Sequence, residues 1–396
     1  MTFLKYLIAI ADGCADQPIL CGQTPLQYAY TPCLNRLAAH GQVGRANFIP
    51  AGCPAGSQTA LLTLLGAPAS ACHGGRAALE AHALGIPLDA DTSALRCNLV
   101  TLDGDRLVAH DGSGVTQAES DALLLTLQQE LGDARHTFHA GRTYRTLLLR
   151  RGFDHPGGAA PDILLGTSLR QHLPNDADLQ RLFFAARDIL TAHPVNQARR
   201  SQGLPPVNGV WFWGGGRLPN LPNFTTLTGL SGGAVGGVAL IQGIARTTGL
   251  HWLEVPGANG SLSTNWEGKA FAAFDALTRG GLDFVLLHVE APDEAGHSGN
   301  LPHKVASIEY FDQRLLAPLT GWLDESKTDY RLLVLSDHPT PLTLRRHTAD
   351  PVPWLLYDSR CTAQTNCCYD ESHVAACPVL PGAQLLNLLL ERKLTP

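Results

Sequence analysis

The sequence predicts an α/β protein with a mostly parallel central sheet between helices. Three apolar runs, at residues 3–11, 284–289 and 332–335, have the composition of strands that are buried on both faces. Helical patterns separate these runs along the chain. Alternation of buried strands with helices is the pattern of an α/β fold.

Two of the helical patterns have clear limits. In the first, at residues 31–40, Thr31 can act as the N-cap, Pro32 suits the first turn, and Gly41 follows the end. The second, at residues 304–319, repeats its apolar residues with the period of a helix. Both are expected to cover the sheet.

The segment at residues 74–205 has a different pattern of apolar and charged residues from the rest of the chain. Short apolar stretches at 96–102, 143–150 and 162–165 alternate with a charged helical stretch at 118–130. We interpret this segment as an inserted α+β domain with its own sheet. A chain of 396 residues is long enough for two domains.

The composition excludes several classes of partner. Acidic residues outnumber basic ones by 35 to 29, so a surface that binds a nucleic-acid backbone is not expected. No stretch approaches the roughly 20 apolar residues of a membrane span, and the N-terminal apolar run stops at Asp12. We therefore expect a cytoplasmic protein whose ten cysteines are reduced thiols. The oligomeric state stays open.

Carboxylates and imidazoles follow the three predicted strands. Asp12 ends the first run, Asp293 lies just beyond the second, and Asp337 and His338 follow the third. Open α/β sheets bind ligands at the carboxyl ends of their strands. A strand can also end in polar residues merely because the chain reaches solvent, but three such ends with metal-ligand residue types favour a site.

Five short segments together supply three aspartates, three histidines and one serine. Besides the residues at the strand ends, they contribute Ser57, His297 and His347. A set of carboxylates and imidazoles without thiolates suits Mn²⁺, Mg²⁺ or Zn²⁺. The set is large enough for two ions, and a pair of ions can catalyse phosphoryl transfer to an activated serine hydroxyl.

Longer motifs carry a resemblance to a known family. They include Gly-Gln-Thr-Pro-Leu at 22–26, Gly-Ser-Gln-Thr at 56–59, Val-Pro-Gly-Ala at 255–258, Ala-Pro-Asp-Glu-Ala-Gly-His at 291–297 and His-Thr-Ala-Asp-Pro-Val-Pro at 347–353. In these motifs and over nearly its whole length the chain resembles the cofactor-independent phosphoglycerate mutases of the archaeal type. That family lies within the alkaline phosphatase superfamily.

The resemblance implies two domains with different roles. Residues 1–73 and 206–396 would form a metal-binding, phosphatase-like catalytic domain, and residues 74–205 an inserted substrate-binding domain. Ser57 would be the nucleophile. Two divalent ions, Mn²⁺ before Mg²⁺ or Zn²⁺, would be held by two sets of ligands. The first set is Asp293, His297 and His347, and the second is Asp12, Asp337 and His338 with Ser57.

The implied activity is interconversion of 3-phosphoglycerate and 2-phosphoglycerate through a phosphoserine. The partner is thus a small phosphorylated metabolite, and its carboxylate and phosphate require cationic donors. Five arginines of the inserted domain are candidates for this contact, of which the first three stand in stretches that match the family: Arg76, Arg145, Arg199, Arg96 and Arg200.

Three stretches depart from the family pattern, and one of them is the segment at 12–18, where a glycine and a basic residue would be usual. Family members have Gly-Ser-Asp-Thr-Ala-His around the serine, where this chain has Gln58 and Leu61 in place of the acid and the histidine. They also have a lysine in Gly-Leu-Lys-Gly-Ala, where this chain has Ser231 and Gly232. A lysine near a phosphoryl group would stabilise its charge. Its absence leaves open a phosphatase, a phosphotransferase that acts on another small alcohol such as homoserine, or a catalytically silent metal-binding homologue.

Overall fold

A computed structural model describes residues 4–19, 21–362, 364 and 367–391. None of the helices in these residues combines the length and the apolar character that a membrane span requires.

The strands in chain order are β1 Lys5–Ala11, β2 Gln42–Asn47, β3 Thr92–Asp103, β4 Arg106–Ala109, β5 His136–Arg142, β6 Arg145–Arg151, β7 Gly209–Arg217, β8 Gly232–Val235, β9 His251–Trp252, β10 Phe284–Val289, β11 Tyr330–Leu335, β12 Val352–Asp358 and β13 Val379–Pro381. The α-helices are α1 Pro25–Tyr28, α2 Pro32–Ala39, α3 Ser57–Leu64, α4 Arg76–Ala83, α5 Gln117–Leu131, α6 Ala177–Ala192, α7 Pro194–Ser201, α8 Phe224–Thr228, α9 Ala239–Thr248, α10 Trp266–Thr278, α11 Ala291–Ser298, α12 Leu301–Tyr310, α13 Ala317–Glu325 and α14 Ala383–Leu389.

The first of two compact units comprises Met1–Cys72 and Asn220–Pro396. Its sheet has the strand order β13-β2-β12-β11-β1-β10-β8-β9. The strands from β11 to β9 run parallel, and β12 is antiparallel to both of its neighbours. All residues of β10 and β11 are buried. The predicted α/β fold with a mostly parallel sheet is therefore confirmed.

The helical pattern at 304–319 belongs to a longer helical segment. Helices α12 and α13 are joined by a π-helical turn, Phe311–Leu316, which contains the fully buried Asp312. Thr31, the predicted N-cap of α2, makes no side-chain cap bond. The Asp312 carboxylate accepts the N–H groups of Cys33 (3.1 Å) and Leu34 (2.6 Å) instead. A negative charge at a helix N-terminus is stabilising, so the π-helical turn fastens α2 against the sheet.

The second unit, His73–Pro219, contains an antiparallel sheet with helices α5 and α6 against it. It has the predicted α+β character. The predicted boundary at residue 205 is wrong, because β7 pairs with β3 from Ser93 opposite Arg217 to Val100 opposite Gly209. The short apolar stretch at 162–165 contributes no strand to this sheet, since the chain there forms a 3₁₀ helix, Pro161–Leu164.

Candidate active site

The carboxyl ends of three neighbouring strands meet at one edge of the parallel sheet. Ile10 of β1 pairs with His288 of β10 on one side and with Leu335 of β11 on the other. The three strands therefore end level with one another. Asp12 and Asp337 follow directly at this edge, where parallel sheets bind their ligands.

One set of side chains gathers around Asp293. Asp293 and His297 are four residues apart on α11, a spacing that puts both on one face of the helix. His347 reaches the same point from the loop before β12. The Nε2 atoms of His297 and His347 lie 3.4 Å from the two carboxylate oxygens of Asp293 and 2.8 Å from each other. Two imidazole nitrogens and a carboxylate directed at one point form a possible metal site.

A second set surrounds the hydroxyl of Ser57. Ser57 Oγ lies 3.2 Å from Asp12 Oδ2 and 3.2 Å from His338 Nε2. The imidazole is itself 3.3 Å from Asp12 Oδ1 and 3.5 Å from Asp337 Oδ2. The structure therefore brings all seven residues of the predicted metal and nucleophile set together within the first unit.

The carboxylate of Asp337 shows that a cation fits here. Its Oδ1 accepts the backbone N–H groups of Gly13 (3.1 Å) and His338 (3.0 Å). Its Oδ2 is buried and has no hydrogen-bond partner among the described residues. A buried carboxylate oxygen without a donor is unfavourable, and a divalent ion would satisfy it. The oxygen and nitrogen donors present fit Mn²⁺, Zn²⁺ or Mg²⁺.

The charges of this cluster are strongly coupled. Burial, with the nearby charges of Asp337 and Asp293, raises the pKa of Asp12 well above its ordinary value. Burial acts in the same direction on Asp293, but hydrogen bonds from His297 and His347 outweigh it and hold the pKa of Asp293 well below its ordinary value. The hydrogen bond to Asp293 raises the pKa of His297 to about 9. A metal ion would displace this proton, so metal binding releases protons near neutral pH.

The backbone before Ser57 places its hydroxyl at the N-terminus of α3. Gly56 has φ +150°, a conformation that side-chain-bearing residues rarely adopt, and a Cβ there would lie 3.0 Å from His347 Nδ1. Ser57 is the first residue of the helix. A phosphoryl group on Ser57 would therefore lie at the positive end of the helix dipole.

Buried charged and polar groups that were not predicted from the sequence lie next to Asp12. His288 is fully buried, with Nε2 3.6 Å from Asp12 Oδ2 and Nδ1 3.4 Å from Glu290 Oε1. The buried Lys269 donates to Glu290 Oε2 (3.1 Å) and to the carbonyl of His288 (3.1 Å). A histidine within the apolar run 284–289 was the available signal. With Asp337, Asp12 and His288 form a further possible ligand group.

Comparisons with known proteins identify the family. Residues 4–377 match the model of the metalloenzyme superfamily. A 2,3-bisphosphoglycerate-independent phosphoglycerate mutase of Methanosarcina barkeri is 37% identical over 403 residues, which cover 98% of this chain and 100% of that protein. The chain belongs to this mutase family. A probable mutase of the same kind from Geobacter sulfurreducens is 38% identical, with 98% of this chain and 100% of that protein covered.

Solved structures agree with this membership of the mutase family. A protein from Pyrococcus horikoshii matches with a TM-score of 0.82 and 27% identity, and all of both chains is covered. A cofactor-independent phosphoglycerate mutase from Thermoplasma acidophilum matches with a TM-score of 0.63 and 25% identity, over 98% of this chain and 99% of that chain. The family predicted from the sequence is thus confirmed.

The five arginines that were predicted to contact the substrate have different surroundings in the second unit. Arg96 is paired with Glu80, and its guanidinium lies 4.4 Å from the centre of the Trp213 ring. The side chain of Arg76 is 43% exposed, and its Nε is 3.5 Å from the same Glu80. Arg145 is exposed on β6. The exposed Arg200 donates to the carbonyl of Thr191 (2.9 Å), at the end of the preceding helix.

Arg199 is embedded in the second unit of this mutase-family chain. It is 3% exposed, and its Nη1 lies 3.0 Å from Glu119 Oε2. Its Nη2 donates to the carbonyl of Ser113 (2.8 Å), and its Nε donates to the carbonyl of Pro205 (2.8 Å). These contacts join helices α5 and α7 to the loop that follows α7. They favour a structural role for Arg199 over a role in substrate binding.

We expect Arg199→Ala to destabilise the protein by about 3–5 kcal/mol, because the substitution leaves the carboxylate of Glu119 and two carbonyls without their donor. Urea denaturation measures the change. The adjacent Arg200→Ala, whose side chain is exposed, should change stability by less than about 0.5 kcal/mol. An Arg199→Ala protein of unchanged stability but raised KM would instead assign this residue to the substrate.

A lysine at position 231, where this mutase-family chain has a serine, would not lie in the site. Ser231 precedes β8, and Gly232 pairs with Phe284 at the beginning of β10. The site lies beyond Val289, at the other end of β10, which is roughly 20 Å long. Ser231 bonds Asp283 (2.8 Å) at that far edge. The serine at position 231 therefore removes no cation from the site.

Another departure from the mutase pattern lies on α3 itself. Gln58 directly follows Ser57, and Leu61 lies about one turn further along. Leu61 is fully buried in the apolar core. The histidine of other family members is therefore replaced here by a packing residue, which supplies no titratable group beside the serine.

Proposed function

We propose that this protein interconverts 3-phosphoglycerate and 2-phosphoglycerate by metal-dependent phosphoryl transfer through a phosphoserine at Ser57. The observation that carries the proposal is the position of its Oγ, 3.2 Å from both Asp12 and His338 and at the N-terminus of α3. Membership of the mutase family supports the choice of substrate.

Two groups of residues would hold the divalent ions. Asp293, His297 and His347 would hold one, and Asp12, Asp337 and His338 would hold the other beside Ser57. When bound, such ions stabilise the charge of a transferring phosphoryl group and lower the pKa of a serine hydroxyl. Mn²⁺ is our first choice, as the resemblance to the mutase family implies, and the mixture of carboxylate oxygens with imidazole nitrogens keeps Zn²⁺ and Mg²⁺ as alternatives.

The chain itself orients the reacting groups. Ser57 donates a hydrogen bond to Asp12 Oδ2, which fixes the direction of its hydroxyl. In the first half-reaction the bond from phosphorus to the substrate oxygen breaks, a bond from phosphorus to Ser57 Oγ forms, and the proton of the serine replaces the phosphoryl group on the leaving oxygen. In the second, the phosphoryl group passes to the neighbouring hydroxyl of the same glycerate. The serine is restored, so the reaction needs no co-substrate.

An enolase-coupled assay with purified protein and Mn²⁺, Mg²⁺ or Zn²⁺ tests this function. We expect formation of 2-phosphoglycerate from 3-phosphoglycerate without added 2,3-bisphosphoglycerate. Release of inorganic phosphate without isomerisation would identify a phosphatase instead. Transfer of the phosphoryl group to another alcohol, such as homoserine, would identify a phosphotransferase. No turnover with any of the three ions would identify a silent homologue.

Substrate recognition is proposed for Arg145 and Arg76 of the second unit. Both guanidinium groups are exposed, although Arg76 also lies 3.5 Å from Glu80, whereas the side chains of Arg96 and Arg199 are largely buried in ion pairs within that unit. A guanidinium can bind the carboxylate or the phosphate of the substrate with two parallel hydrogen bonds. The charge of the substrate requires such donors.

We expect Arg145→Ala to raise the KM for 3-phosphoglycerate about 10- to 100-fold, since a hydrogen bond to a charged group contributes roughly 1.5–3 kcal/mol. Steady-state kinetics in the coupled assay give the value. Arg151→Ala is the matched control, because Arg151 is 62% exposed at the other end of β6 and pairs with Asp89. Equal KM values for wild type and Arg145→Ala would remove Arg145 from the substrate site.

A cytoplasmic location is part of the same proposal. All ten cysteines are free thiols, which suits a reducing compartment. Fractionation of cells that produce the protein, followed by immunodetection, tests the location. Recovery with a membrane or secreted fraction would contradict it.

A further inference from the structure

The hydroxyl of Thr340 lies between the two sets of predicted metal ligands. Thr340 is fully buried in the loop after β11. Its Oγ1 donates to Asp293 Oδ1 (2.5 Å), which belongs to the first set. The same Oγ1 is 3.3 Å from His338 Nδ1, which belongs to the second set.

The chemistry of the three groups determines where the protons lie. An ionised carboxylate can only accept, so the single hydroxyl proton of Thr340 goes to Asp293. Thr340 Oγ1 must then accept from His338, which places a proton on Nδ1 of that imidazole. In a neutral imidazole with this tautomer, Nε2 has a free lone pair. That atom faces Asp12 and Ser57.

The backbone of Thr340 is itself held on two sides. Its N–H donates to the carbonyl of Ala15 (3.3 Å) in the loop after β1. Its carbonyl accepts from Lys304 Nζ (2.8 Å) on α12. Lys304 is fully buried and also bonds Asp16 Oδ2 at 2.7 Å. Two separate parts of the chain, the loop after β1 and helix α12, therefore hold the backbone of this residue in place.

Two glycines, Gly13 next to Asp12 and Gly296 of the motif at 291–297, make room for this arrangement. A Cβ on Gly13, which has φ +58°, would lie 2.5 Å from Thr340 Oγ1 and 2.7 Å from Asp293 Oδ1. A Cβ on Gly296 would lie 2.4 Å from the carbonyl oxygen of Thr340. Any larger residue would push the threonine away from the ligands, so the close approach explains why both positions carry glycine.

We propose that Thr340 is a positioning residue that couples the two metal-ligand sets, because its hydroxyl orients the carboxylate of Asp293 and selects the metal-binding tautomer of His338. This inference rests on the proposed metal centre and extends it. Outer hydrogen bonds of this kind fix the orientation of ligands, and their removal typically weakens metal binding about 10- to 100-fold.

The test compares the Mn²⁺ affinity of the full-length protein and three variants, measured by isothermal titration calorimetry on metal-free protein. Thr340→Val keeps the shape but removes the hydroxyl, and we expect its affinity to fall about 10- to 100-fold. Thr340→Ser keeps the hydroxyl and should bind Mn²⁺ nearly as well as wild type. Thr248→Val removes another buried hydroxyl, which bonds the carbonyl of Ile244 on α9, and should leave the affinity unchanged.

The outcomes separate this inference from the proposed function. Wild-type affinity in Thr340→Val would overturn the role of Thr340 alone. Equal losses in Thr340→Ser and Thr340→Val would also overturn it, since the methyl group rather than the hydroxyl would then matter. Absence of Mn²⁺ binding by the wild type would overturn both. Melting curves of the metal-free proteins establish folding, and Thr340→Ala replaces the valine variant if that variant does not fold.

Discussion

Replacement of Ser57 by alanine is expected to lower the mutase rate to less than about a thousandth of the wild-type value, because the variant lacks the oxygen that accepts the phosphoryl group. Neighbouring hydroxyls are already engaged: Thr59 Oγ1 donates to the carbonyl of Pro54, and Thr340 Oγ1 donates to Asp293. The enolase-coupled assay measures the rate. Intact-mass spectrometry after incubation with 3-phosphoglycerate and metal measures the phosphoenzyme.

Two controls define this result. Ser326→Ala removes a serine at the end of α13, whose hydroxyl bonds the carbonyl of Leu323, and should leave both measurements unchanged. The metal content of Ser57→Ala should also remain, since the other ligands persist. Undiminished turnover by Ser57→Ala would refute the phosphoserine mechanism.

The second large effect is expected from Asp293→Asn. The carboxylate is shared by His297, His347 and Thr340, and the amide that replaces it has no charge to balance a divalent ion. We expect the protein to lose the ion of this set while it keeps the other, and to lose more than about a hundredfold in kcat. Elemental analysis after removal of free metal measures the ion content.

The neighbouring Glu294→Gln is the matched control. Glu294 is exposed on the same helix, and its replacement should leave the metal content as in wild type. Treatment of the wild type with a strong chelator should abolish activity, and Mn²⁺ should restore it. Full activity of Asp293→Asn, or of exhaustively metal-free protein, would contradict a metal-dependent reaction.

The strand-end part of the site could be predicted from sequence because local chemistry determines it. Runs such as 284–289 are apolar throughout only when both faces are buried, and the carboxyl ends of neighbouring parallel strands meet at one edge. Asp12, Asp337 and His338 follow directly from that argument. Asp293 and His297 are four residues apart, which on a helix means one face.

The remaining features depend on contacts between distant segments, which residue patterns do not encode. Asp312 rather than Thr31 caps α2, because the π-helical turn that contains Asp312 packs against the N-terminus of α2 although it lies 279 residues after Cys33 in the sequence. The sequence around Arg199 does not indicate that Glu119 lies beside its guanidinium, so its structural role could not be predicted. Ser231 lies far from the site because it precedes the end of β8 that is opposite to the site. The sequence motif around Ser231 does not indicate which end of the strand faces the site.

The proposed mechanism requires that two cations bind beside Ser57. Anomalous diffraction from crystals grown with Mn²⁺ tests this directly, because it locates the ions without reference to activity. We predict two peaks about 4 Å apart. One peak should lie between Asp293, His297 and His347, and the other between Asp12, Asp337 and His338. Crystals that hold Mn²⁺ only at other places, or not at all, would contradict the two-metal mechanism.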